Sequence, residues 1–131
     1  MPLLAPISVG ELFDKIAILE IKAELLTDPA QRENVLRELA ALDAVRRREV
    51  APSPGLEAFC GELKVVNRRL WDIEDEIRGH ERDGRFEARF IELARSVYRE
   101  NDRRAALKRR INQLTGSEIV EEKSYGGSEG A

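Results

Sequence analysis

Between positions 59 and 77 the apolar residues Phe59, Leu63, Val66, Leu70, Ile73 and Ile77 return every three or four places, which holds them on one stripe of a helix. Strand signals are absent from the rest of the chain, and the helix signals repeat. Ser8-Val9-Gly10-Glu11 reads as a capping box that opens a first helix over about 9–26. Asp28-Pro29-Ala30-Gln31 supplies an N-cap, a proline suited to the first helical position and a glutamine at the third. A second helix follows to about Val50, with Val35, Leu36, Leu39 and Leu42 at helical spacing. Pro52-Ser53-Pro54-Gly55 stops it and starts the third, because two prolines withhold amide donors. Asp83-Gly84 marks the next turn, and a fourth helix carries Phe86, Phe90, Leu93, Val97 and Ile111 to a glycine stop at Thr115-Gly116.

The expected fold is therefore all-α: an antiparallel bundle of about four long helices, arranged as helical hairpins because the connections are short. Residues 1–116 form the bundle domain, and 117–131 form an acidic C-terminal tail whose Gly-Gly-Ser-Glu-Gly-Ala tip is expected to be mobile. A chain of 131 residues, 42% hydrophobic and 36% charged, has enough apolar content for one core and too much charge for a membrane protein. No apolar stretch approaches the ~18 residues needed to cross a bilayer. The start, Met1 to Ile7, lacks the basic region of a secretory signal, so the expected location is the cytoplasm.

Cys60 and His80 are single residues of their kinds, which rules out an internal disulfide and a Cys/His zinc cluster. Cys60, beside Phe59 at the start of an apolar helix, reads as a packing residue. His80 falls in the polar run Gly79-His80-Glu81-Arg82-Asp83-Gly84, which reads as a loop with a solvated histidine.

The first helix is apolar around most of its circumference (Leu12, Phe13, Ile16, Ile18, Leu19, Ile21, Leu25, Leu26). A helix of that kind must be covered on most sides. It is either the central helix of the bundle or part of an interface with a second copy or a protein partner.

Several polar groups fall where apolar ones belong. At 100° per residue Asn101, Arg104 and Lys108 share the face of Phe90, Val97 and Ile111. Asn67, Glu74 and Arg78 flank the third helix's stripe together with Trp71, and Glu20 sits between covered positions of the first helix. A lone buried charge costs several kcal/mol, so such groups must pair, hydrogen-bond or meet a ligand. One reading is structural: ion pairs of Glu20 and Glu74 with Arg104 and Lys108, or long stems lying on apolar surface. The other is a pocket in which Arg78, Arg104 and Lys108 hold a small anion that Asn67 or Asn101 orients.

The third helix is rich in carboxylates (Asp72, Glu74, Asp75, Glu76), but the inward face of the fourth is basic, which disfavours a metal site and calls for no cofactor. Seven basic residues between Arg95 and Arg110 could touch phosphate, yet the net charge is −3 and the aromatics follow core periodicity, which disfavours nucleic acid. The basic helix is followed by an acidic tail, whose Lys123 and Tyr125 are expected to fold back over that helix.

The runs Ile7-Ser-Val-Gly-Glu-Leu-Phe-Asp-Lys-Ile-Ala-Ile-Leu-Glu-Ile-Lys22, Leu70-Trp-Asp-Ile-Glu-Asp75, Glu92-Leu-Ala-Arg-Ser-Val-Tyr98, Asn101-Asp-Arg-Arg-Ala-Ala-Leu-Lys-Arg-Arg-Ile-Asn112 and Glu121-Glu-Lys-Ser-Tyr125 resemble a family of small bacterial helical proteins known as a domain of unknown function. The resemblance implies a bacterial, cytoplasmic helical protein and assigns no catalytic residue. Within those runs Asp14, Lys15, Glu20, Trp71, Glu74, Tyr98, Asn101 and Lys108 carry chemistry beyond what packing requires. The candidate polar pocket thus comprises Glu20, Asn67, Trp71, Glu74, Arg78, Tyr98, Asn101, Arg104 and Lys108. No complete catalytic constellation accompanies it, so the favoured function is a non-catalytic interaction or scaffold module. The alternative is a small enzyme or binding protein for an anionic metabolite: a nucleotide, sugar phosphate or carboxylate.

Overall fold

A computed structural model describes residues 2–123 and contains four helices: α1 (Val9–Leu25), α2 (Pro29–Glu49), α3 (Pro54–Asp83) and α4 (Ala88–Thr115). No strand occurs among the described residues. The expected mobile tip and Tyr125 lie outside them.

Each predicted N-cap side chain accepts from the amide three residues on, although the Glu11 carboxylate of the expected capping box turns to Lys108 and not back to the Ser8 amide. The Ser8 Oγ accepts from Glu11 N at 3.0 Å, Asp28 accepts from Gln31 N at 2.9 Å, and Ser53 accepts from Leu56 N at 3.2 Å. The two long helices α3 and α4 end on Gly84 and Gly116, both with positive φ (65° and 66°), where a side chain would be strained.

Two details depart from the sequence expectation at the α3–α4 turn. The polar run from Gly79 is the last turn of α3 and not a loop, and His80 is buried at 6% exposure. His80 lies three residues after Ile77 and so continues the inward stripe, while Glu81, Arg82 and Asp83 point outward. Its Nδ1 donates to Arg85 O at 3.1 Å and its ring lies 6.4 Å from that of Phe90. Phe86 precedes α4 and meets Phe90 edge-on at 5.1 Å, staying half exposed.

The core joins Phe13 of α1, Leu56, Leu63, Val66 and Leu70 of α3, and Leu107 and Ile111 of α4. Cys60 packs against it, as expected. Helix α1 touches all three others, whereas α2 touches α1 alone and buries only Val35. Central placement thus covers the circumference of α1: Leu12, Phe13, Ile16, Ala17, Leu19 and Ile21 are all buried. Among the described residues no helix is long and apolar enough to cross a membrane.

Candidate functional site

The polar seam begins on α1. Asp14 is 2% exposed, because its position on α1 aims it between α3 and α4. Asn67 Nδ2 of α3 donates to Asp14 Oδ1 at 2.8 Å, and Arg104 Nε of α4 lies 3.5 Å from Asp14 Oδ2. One carboxylate therefore ties three helices, with a hydrogen bond on one oxygen and an ion pair on the other.

One turn toward the start of α1, Lys108 Nζ donates to Glu11 Oε2 at 2.6 Å. A further turn on, Asn112 Oδ1 accepts from Gly10 N at 2.6 Å. Ser117 Oγ accepts from Val9 N at 3.2 Å, and Ser8 Oγ donates to Glu121. The end amides of α1 are thus satisfied from within the chain, by the residues that follow α4 as well as by α4 itself. Arg109 Nη2 also donates to Glu122 at 2.6 Å, so the start of the acidic tail does return to the basic helix.

Asn67 and Arg104, the two partners of Asp14, also line a cleft of ≈460 Å³ together with Ile18, Leu70, Trp71, Glu74, Asp75 and Arg78. It gathers five of the nine candidate residues: Asn67, Trp71, Glu74, Arg78 and Arg104. Lys108 lies one turn beyond Arg104, at a smaller hollow shared with Arg104, Arg109, Glu121 and Lys123. Glu20 faces elsewhere, 4.0 Å from Lys64, and lines a crevice with Asp43, Arg46 and Cys60. Tyr98 is 70% exposed and Asn101 half-buried, and neither lines the cleft.

The expected ion pairs form with different partners. Arg104 and Lys108 meet Asp14 and Glu11 in place of Glu20 and Glu74, and Glu74 pairs with Arg78 at 3.6 Å on the surface. Interhelical register decides this. Antiparallel α1 and α4 set Gly10 against Asn112, Glu11 against Lys108 and Asp14 against Arg104, and Glu20 falls beyond that contact.

Three further buried polar residues lie outside the nine-residue pocket. Asp14 is one of those whose chemistry exceeds what packing requires, a carboxylate inside an otherwise apolar stretch. Asn112 extends the Arg104, Lys108 ridge by one more step of four. Its Nδ2 is buried without a partner among the described residues. Glu100 is 7% exposed, with Oε1 2.6 Å from Arg103 and Oε2 buried without a described partner. Nothing in its sequence context separates it from the solvated charges around it.

Outside the seam, α3 and α4 alone line a groove of ≈610 Å³. Ala58, Gly61, Val65, Val66, Ala106 and Leu107 form its apolar floor, and Glu57, Glu62, Arg69, Arg103 and Arg110 form its rim. Among the described residues no three His, Cys, Asp or Glu side chains group to hold a metal ion.

Neither a curated protein nor a solved structure matches the sequence. A family model does, over residues 3–129, a span that takes in the whole seam from Ser8 to Glu122: the chain belongs to the family of unknown function DUF6165.

Proposed function

We propose that this protein is a non-catalytic interaction module that receives an amphipathic helix in the α3–α4 groove. The observation that carries the reading is a contrast between two surfaces. The inward cations Arg104 and Lys108 already have carboxylate partners, so the seam reads as the device that sets helix register. The groove, by contrast, keeps Val65 half exposed in an apolar floor that includes the small residues Ala58, Gly61 and Ala106, and no other described element covers it. Small floor residues admit a helix closely, and a charged rim orients it.

A photo-cross-linking residue in place of Val65 tests this, with the same residue at Leu36 of α2 as control. Adducts mapping to one helical segment from Val65 alone support the reading. Equal, scattered adducts from both positions end it.

A second reading rests on a different observation, the cleft that Asn67 and Arg104, both held by the buried Asp14, line together with Trp71. In this reading an anionic metabolite lies against Trp71 with its charge toward Arg104 and Arg78. At 100 times its dissociation constant such a ligand stabilises the protein by about 2.7 kcal/mol, several degrees in Tm. Arg78 is well exposed, so Arg78→Met leaves the fold intact and should abolish the shift. A panel of nucleotides, sugar phosphates and carboxylates that leaves Tm unmoved removes this reading.

A further inference from the structure

We infer that the occupant of the groove is a second copy of this chain, docked α3 against α3 in antiparallel about a two-fold axis. The inference rests on the reading of the groove as a docking face. Its basis is one ridge of α3 in which Glu57, Gly61, Val65 and Arg69 follow one another every four residues, and all four line the groove.

A two-fold interface must be self-complementary, since each residue meets a partner that meets it in return. Read in the opposite direction, the ridge is Arg, Val, Gly, Glu. The antiparallel register that seats Val65 in the gap over the partner's Gly61 also sets Glu57 beside the partner's Arg69. The symmetry repeats both contacts, so a single register yields two filled gaps and two ion pairs.

Alternative alignments lose these contacts. A parallel pairing puts Glu57 on the partner's Glu57 and Arg69 on the partner's Arg69. An antiparallel slip by one turn sets Glu57 on the partner's Val65 in one direction, and Arg69 on the partner's Gly61 in the other. Opposite charges at the two ends therefore select orientation and register, which is what rim charges do better than add affinity.

The ridge is free to act. A Cβ added at Gly61 would meet nothing within 4 Å, so the gap is open. Val65 is 51% exposed. Glu57 forms no ion pair among the described residues, and Arg69 reaches only Glu100, at 3.9 Å, an oxygen that Arg103 already holds at 2.6 Å.

Sedimentation velocity on the purified full chain, across micromolar concentrations, reads the oligomeric state. The wild type is expected to dimerise. Glu57→Arg alone and Arg69→Glu alone each place like charges at both ends, and should weaken the dimer about tenfold or more. Mixing the two single variants should restore a heterodimer, because each then offers the charge that the other now needs. Val65→Glu should leave a folded monomer. Restoration on mixing is the decisive outcome, since a change within each monomer would not be repaired by a second molecule.

A wild type that stays monomeric throughout, or a dimer indifferent to all three substitutions, overturns the self-pairing. In that event the Val65 cross-link separates the two claims. An adduct on a helix of another protein retains the groove as a docking face with a different occupant, and no specific adduct removes both.

Discussion

Gly10 approaches Lys108 so closely that a Cβ on residue 10 would lie 2.5 Å from the Lys108 carbonyl oxygen and 3.0 Å from Asn112 Oδ1. That proximity is what lets Gly10 N reach Asn112 Oδ1 at 2.6 Å. Replacing a helical glycine by alanine ordinarily stabilises by up to about 1 kcal/mol. Here the methyl group would have to push one backbone off another, a cost of about 1–3 kcal/mol that also breaks the buried hydrogen bond. Gly10→Ala should therefore lower Tm by several degrees in calorimetry. An unchanged or raised Tm would mean that α1 and α4 part without penalty.

Asp14→Ala removes the acceptor from Asn67, which is 5% exposed and cannot turn to water. Arg104 keeps about a third of its side chain exposed and can. The expected loss is about 2–3 kcal/mol, most of it from the stranded amide. A double-mutant cycle with Asn67→Ala in urea should show coupling of about 1 kcal/mol or more. Strictly additive losses would show that the bond contributes nothing.

Burial pushes the Cys60 thiol from its ordinary 9.0 up to about 11. Two units mean about a hundredfold less thiolate near neutrality, so an aromatic disulfide reagent at pH 8 should react about a hundredfold more slowly with native than with urea-unfolded protein. An acid with a raised folded pKa contributes stability that is fully present below pH 9 and lost as pH rises through 11. Wild type should thus lose stability faster than Cys60→Ala in that window. Parallel curves would place the thiol in water.

Arg89 grips both oxygens of Glu76, at 2.6 and 2.8 Å, and joins α3 to α4 near their turn. The guanidinium hydrogen bond holds the Glu76 carboxyl below its ordinary value. A depressed carboxylate contributes stability above its unfolded pKa of 4.5 and loses it as pH falls through the folded value. The advantage of wild type over Arg89→Met should hold at neutral pH, vanish in acid and shrink in high salt. Hydrogen exchange of the first turn of α4 would show it, and an advantage independent of pH would exclude the ion pair as its source.

The helices were legible because their signals are local. Ser8, Asp28 and Ser53 cap from within three residues, and Gly84 and Gly116 act through their own backbone. Asn67, Trp71, Glu74 and Arg78 share a cleft because they share one side of one helix, which spacing alone reveals. Local polarity misled at His80: charged neighbours made a loop of a turn whose single inward residue is the histidine.

Pairings between helices could not be read in the same way. That Arg104 and Lys108 need carboxylates follows from their place on an apolar face, since a buried charge without a partner is costly. Which carboxylates they find depends on where α4 lies along α1, and the Gly10 contact sets that. The placement of Glu20 toward Lys64, and the uncovered groove between α3 and α4, follow from the same packing. Four helices, their ends and the faces they must hide can be read along the chain, because those depend on neighbours three or four residues away. That α1 is the centre, that Asp14 ties three helices and that α2 leans on α1 emerge only on packing, because contacts between residues tens of positions apart are chosen by the whole core at once.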